Sequence, residues 1–177
     1  MKQDYYEFKT GSMTKDGIWV INNKNEAKIL RKKLADFDFN KFSKKEIQQL
    51  INKMRKAMKD ANGVGLSANQ IGLNLNVFVA QVNNKFYAIF NSKITAFSEE
   101  RKEMEEGCLS VPEIFGTMSR YDKVILEGYD KGAKKIKIKA WGLLAQVFQH
   151  ETDHLNGKLF IDGAKETYKY ERVTGNK

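Results

Sequence analysis

Apolar residues at three- and four-residue spacing mark three helical stretches in this chain. The clearest is "SKKEIQQLINKMRKAMKDANG" (43–63), where Ile47, Leu50, Ile51, Met54 and Met58 form one face. Ser43 and Glu46 stand in the relation of a capping box, and Gly63 is placed to end the helix. "NKNEAKILRKKLADF" (23–37) predicts a shorter first helix, and "GLLAQVFQHETDHLNG" (142–157) a third that Gly157 stops. Between them the period drops to two. "NVFVAQV" and "KFYAIF" flank Asn83-Asn84 as a hairpin, and "KITAF" follows as another extended piece. "KVILEGYD" and "AKKIKIKAW" flank Lys131-Gly132 as a second hairpin. There Ile136, Ile138 and Ala140 alternate with lysines, so one face is buried and the other wet. The tail "GAKETYKYERVTGNK" predicts a short helix that then frays, with 166–177 a flexible tail. The expected fold is α+β, with mainly antiparallel strands packed around a central helix, in one domain over 1–177.

Composition narrows the setting. Hydrophobic residues make up 41% of the 177, enough for a globular core and too many for a disordered chain. The lone cysteine, Cys108, cannot form an internal disulfide, so nothing points to an oxidising compartment. No stretch has signal-peptide or membrane-spanning character, and the expectation is a cytoplasmic protein without a membrane. The net charge of +9 raises nucleic acid as a partner. The positive runs "ILRKKL", "FSKKE", "KMRKAMKD" and "KKIKIK" lie far apart and are interrupted by acids, and no RNA-binding signature accompanies them. That pattern argues against dedicated nucleic-acid binding and leaves room for weak attraction to a polyanion such as a ribosome surface.

Both histidines of the chain fall in "FQHETDHLNG" (148–157). H-E-x-x-H on a helix puts His150 and His154 on one face, one turn apart, where both imidazoles reach a single metal ion. Glu151 is rotated from His150 by about 100°, which suits proton handling beside the metal rather than ligation. A third ligand is needed. Downstream stand the acids Asp162, Glu166 and Glu171; upstream stands Cys108 in "EEGCLSVP" (105–112), between Gly107 and Pro112. A thiolate with two imidazoles leaves a coordination position open for chemistry. "GVGLSANQIG" (63–72) lacks both the G-K-[ST] ending of a phosphate loop and the G-x-G-x-x-G spacing, and by itself reads as a turn.

Taken together and in order, "GVGLSANQIG", "EGCLSVP" and "QHETDHLNG" resemble the three signature motifs of the peptide deformylase family, and the resemblance covers roughly residues 25–165. It implies a metallohydrolase that removes the N-formyl group from the initiator methionine of nascent polypeptides and releases formate. Cys108, His150 and His154 would bind one divalent ion, iron(II) in the native form, with nickel, cobalt or zinc able to substitute. Glu151 would carry the proton, and Gln70 with the backbone N–H of Leu109 would meet the oxyanion. Backbone at Val64, Gly65 and Gly107 would hold the peptide, and Val64, Leu143, Val147 and His150 would form the methionine pocket. The implied partners are formyl-methionyl nascent chains, with weak ribosome association and a monomeric state. The location is the cytoplasm, an organelle or a phage-infected host cell.

Some positions depart from the family pattern. Ser67 stands where alanine is common, Asn62 where an acid is frequent, and Gln146 where many relatives carry an aliphatic residue. No basic residue lies near Phe115, whereas Arg120 matches a family arginine and is placed to pair with Glu106. The competing reading, a zinc-type metallopeptidase built on the same H-E-x-x-H helix, needs a downstream third ligand and gives "EGCLS" no role.

Overall fold

The computed structural model describes residues 17–169. Three helices, α1 (Lys24–Leu30), α2 (Lys44–Asp60) and α3 (Gly142–Leu155), accompany eight strands among these residues. The strands are β1 (Gly65–Ser67), β2 (Val77–Val82), β3 (Lys85–Phe97), β4 (Arg101–Cys108), β5 (Val111–Tyr121), β6 (Lys123–Tyr129), β7 (Lys135–Trp141) and β8 (Thr167–Lys169). They make a five-stranded sheet in the order β1-β2-β3-β6-β7 and a three-stranded sheet in the order β4-β5-β8. Every pairing is antiparallel. α3 packs against strands of both sheets, so the α+β architecture around a central helix is the one observed.

α2 keeps its sequence signature. Ser43 Oγ accepts from the Glu46 N–H at 3.2 Å, and Glu46 accepts from the Ser43 N–H at 2.6 Å. Ile47, Ile51, Met54 and Met58 are buried. The stop differs by one residue: Asn62 takes the left-handed conformation (φ 56°), and the Gly63 N–H closes onto Met58 O at 2.8 Å. Gly63 is thus the residue after the left-handed position, in a Schellman arrangement.

α1 is shorter than the expected 23–37. Beyond Leu30 the backbone N–H groups leave the helix for tertiary partners: Leu34 donates to Leu155 O at 2.9 Å, and Phe37 donates to Asn91 Oδ1 at 2.7 Å. Phe37 then stacks on Phe42 and meets Phe90 edge-on, so burial of its ring outweighs continued helix.

The Asn83-Asn84 hairpin is present, with both residues at positive φ (49° and 62°), as a two-residue turn of this twist requires. "KITAF" is no separate piece but the second half of β3, which pairs with β6 after its first half pairs with β2. The second hairpin turns over Asp130–Lys134, a longer loop than Lys131-Gly132 alone. Asp130 Oδ1 holds it by accepting from Gly132 N (2.8 Å) and Lys134 N (3.0 Å).

The β4–β5 hairpin has no counterpart in the periodicity, and it carries Cys108. The tail also departs from expectation: Thr167–Lys169 is strand, not helix, and pairs with Ile114–Gly116 on the free side of β5. Residues 170–177 lie outside the described residues. Among the described residues no helix is long and apolar enough to cross a membrane.

α3 is buried on most of its circumference, including Gln149, Glu151 and His154. Such polar burial requires partners. Gln149 supplies one tie: Oε1 accepts from Tyr121 N at 3.0 Å and Nε2 donates to Tyr121 O at 2.9 Å, so its amide pairs with the end of β5 as a neighbouring strand would. Phe148, fully buried, meets Phe78 of β2 and Tyr87 of β3 edge-on. Contacts of this kind contribute several kcal/mol, since truncating a buried Phe to Ala costs about 3–5 kcal/mol. They fix the height and rotation of α3 against the large sheet.

Candidate active site

The fold brings the three quoted motifs together at one end of α3. His150 and His154 lie one turn apart with ring centroids 4.9 Å from each other. Cys108 ends β4 and pairs with Val111 across a tight turn, which aims its side chain at the helix. Its Sγ stands 3.1 Å from His154 Nε2. The ligand atoms of Cys108, His150 and His154 all lie within 4.8 Å of one another.

Among the described downstream acids, Asp162 and Glu166 are not part of this group. Asp162 pairs with Arg31 and caps the Leu159 N–H, and Glu166 is exposed beside Thr117. Glu171 lies outside the described residues.

A buried ionic network orients His150. Glu106 Oε2 is 3.0 Å from His150 Nδ1. Arg120 grips both Glu106 oxygens, at 2.7 and 2.9 Å, and donates through Nη1 to Asp153 Oδ2 at 2.5 Å. Burial would raise the Glu106 carboxyl, but the Arg120 and His150 bonds outweigh it and bring its pKa down to about 2. Burial likewise opposes the Arg120 charge, and Glu106 and Asp153 more than offset it, holding the guanidinium charged. For His150 burial disfavours charge, yet Cys108 and Glu106 hold its pKa well above the ordinary value. His154 moves the other way, first through burial and then through the His150 charge beside it. The two adjacent imidazoles are thus pushed in opposite directions.

Cys108, His150 and His154 fit a divalent metal ion. With His150 Nδ1 engaged by Glu106, its Nε2 is left for ligation, and His154 turns Nε2 toward the thiol. Inside the fold, His154 Nδ1 is buried without a hydrogen-bond partner. A thiol and two imidazoles converging so closely are a soft-to-borderline donor set with one side open.

Glu151 is 3% exposed and burial pushes its carboxyl up to about 7, against the lowering effects of the His150 charge and of the Ser67 hydroxyl. Ser67 Oγ donates to Glu151 Oε2 at 2.7 Å. Gln70, in the 3-10 turn after β1, is 2% exposed. Its Oε1 accepts from Ser67 N at 2.8 Å, which turns Nε2 toward Ser110 Oγ (3.2 Å) and Cys108 Sγ (3.7 Å). Asn69 of the same turn donates to His154 O at 3.0 Å.

Gln70, Cys108, Leu109, His150 and Glu151 line a cleft of about 1010 Å³, with Ser67, Asn69 and His154 buried behind them. Val64, Gly65, Gly107, Leu143 and Val147 line the same cleft. Val64 and Leu143 are half exposed, and Val147 is buried. Gln146 lies at the rim and donates to Glu105 O at 2.8 Å. Phe115 also lines the cleft and stacks on Tyr168 of β8, and although its own strand carries no basic residue beside it, Lys169 of β8 lines the same cleft and pairs with Glu113.

Arg120 pairs with Glu106 as its position suggests. The further reach of Glu106 to His150, the role of Asp153 and the Ser67–Glu151 bond had no sequence signal beyond motif membership.

The H-E-x-x-H helix, with a cysteine thiol set directly against its histidines beside an open cleft, has the makings of a metal-dependent hydrolase. The sequence profile described as polypeptide deformylase matches residues 19–170. The chain belongs to the polypeptide deformylase family. It is 42% identical over 121 residues to the peptide deformylase of Treponema pallidum (strain Nichols), covering 68% of this chain and 75% of that one. The crystal structure of peptide deformylase from Thermotoga maritima superposes with a TM-score of 0.76 at 32% identity, over 88% of this chain and all of that one. A probable peptide deformylase from Synechococcus phage S-SSM7 superposes at 0.74 and 38% identity, over 86% and 99%. The chain is a metal-dependent peptide deformylase, which removes the formyl group from nascent peptides.

Proposed function

We propose that Cys108, His150 and His154 hold one divalent ion, native iron(II), and that Glu151 carries the proton for formyl hydrolysis. Nickel, cobalt or zinc would occupy the same donors. The observation that carries this reading is the convergence of the three ligand atoms within 4.8 Å, with Glu151 lining the same cleft as Cys108 and His150. When bound, the ion supplies Lewis acidity and makes water a nucleophile near neutral pH. Glu151 accepts a proton from the attacking water and passes it to the departing methionine nitrogen, so formate leaves and a free amine remains. The Gln70 amide and the Leu109 N–H donate to the oxyanion as it forms. Gln70 suits this role because Ser67 N–H fixes its Oε1 and so turns its N–H groups toward the ligand thiol.

Val64, Gly65 and Gly107 offer backbone to an extended peptide in the manner of an added strand. The methionine side chain enters between Val64, Leu143, Val147 and His150. Gln146 gives that pocket a polar rim. The substrates are formyl-methionyl nascent chains, met in the cytoplasm, an organelle or a phage-infected host. The enzyme works as a monomeric single domain, and its +9 charge supports weak association with the ribosome.

The test is formate release from formyl-Met-Ala-Ser by the iron- or nickel-loaded protein. Formate with intact peptide bonds is the expected result. Peptide cleavage or no reaction by the loaded protein would overturn the reading.

A further inference from the structure

We propose that Ser67 is a positioning residue for deformylation: its hydroxyl pins one oxygen of Glu151 and leaves Oε1 as the oxygen that handles the proton. This inference rests on the reading of Glu151 given above.

Ser67 is fully buried on β1, and its Oγ has two acceptors within reach, both belonging to Glu151. Oε2 lies at 2.7 Å and the backbone oxygen at 3.1 Å. A hydroxyl carries one proton. A carboxylate accepts it more strongly than a carbonyl, and 2.7 Å belongs to the short, charge-assisted range while 3.1 Å is long for O–H···O. The proton therefore goes to Oε2.

The second oxygen is located by a glycine. A β-carbon at position 65 would sit 2.2 Å from Glu151 Oε1, so that oxygen occupies the space above the bare Cα of Gly65. Gly65 and Glu151 both line the cleft. β1 thus handles both oxygens of one carboxylate. Ser67 binds the inner one, and two residues earlier on the same strand Gly65 makes room for the outer one. A carboxylate held this way cannot swing about its last torsion, and the oxygen facing the cleft keeps its lone pairs free. An alanine at 67 would leave Oε2 without that donor in a buried site.

The experiment is a double-mutant cycle on the metal-loaded full chain, read as formate release. Ser67→Ala is expected to lower kcat about tenfold, the scale of one hydrogen bond to a charged group, with KM and metal content unchanged. In the Glu151→Gln background the same substitution should change kcat by less than about twofold, because the oxygen it orients no longer accepts a proton. Equal losses in both backgrounds would show that the hydroxyl only satisfies the Glu151 carbonyl and supports the fold, and would overturn the proposal. So would a kcat within about twofold of the parent in Ser67→Ala. If the parent released no formate, the reading of the site itself would fail, a different result from either.

Discussion

Glu106 places Oε2 3.0 Å from His150 Nδ1 while Arg120 holds both of its oxygens. The imidazole is thereby fixed in orientation, with Nε2 directed to the donor cluster. Partners of this kind are worth about 10–100-fold in metal affinity. Glu106→Ala is therefore expected to weaken binding of nickel by that factor, measured by competition with a chelator, while Cys108 and His154 stay in place. Unchanged affinity would mean that His150 is oriented by α3 alone.

The same carboxylate makes a prediction about acid. Its pKa stands at about 2 in the fold against an ordinary 4.5, so its contribution to stability is complete above about 4.5 and disappears as pH falls toward 2. The size is about 3 kcal/mol, from roughly 1.4 kcal/mol per pH unit. Urea unfolding of the metal-free protein should show the parent losing stability between pH 5 and 2 more steeply than Glu106→Gln. Parallel curves would remove the Arg120–Glu106 pair as the source.

The proposed ligand set makes Cys108 indispensable to the ion. One ion per chain is expected, and Cys108→Ala should release it, because no other thiol or imidazole stands within the cluster among the described residues. A thiolate beside iron(II) is also open to oxidation, so the iron form should lose activity in air while the nickel form persists. Retention of a full equivalent of metal by Cys108→Ala, measured by elemental analysis, would reopen the choice of third ligand.

Glu151→Gln separates holding the metal from using it. The ligands are untouched, so metal content should stay near one ion and a hydroxamate should still bind. Turnover should fall by about 10²–10⁴-fold, the scale of a lost general base. Deformylation at the parent rate would assign the proton to another group.

Gln70→Ala removes an amide whose orientation the Ser67 N–H sets. A loss of about 10²–10³-fold in kcat with unchanged metal content is expected if it serves the oxyanion. A near-normal kcat would reduce the residue to a turn former.

Much of this site was legible before the fold was known, because its chemistry sits in contiguous motifs whose spacing is set by a helix turn or a tight loop. The two hairpins and α2 were legible for the same reason: Ile47 to Met58 and Asn83-Asn84 act through near neighbours. β4 was not. It is an edge strand whose run "RKEMEEGC" has only one fully buried side chain, and that one is Glu106, whose burial depends on an arginine 14 residues away. α1 failed where Leu34 and Phe37 found partners on Leu155 and Asn91, more than 50 residues distant. Ser67 carried no pattern at all; its importance exists only once β1 lies beside α3.

β1 and β4 are each the last strand of their sheet, and the cleft lies between residues of both. On the binding mode proposed above, two unfinished edges facing a common gap would read a visitor by its main chain, which is the same in every protein. A cleft working that way would ask for a particular residue only where a side chain must enter the pocket. Beyond it the visitor would be addressed in a grammar without vocabulary.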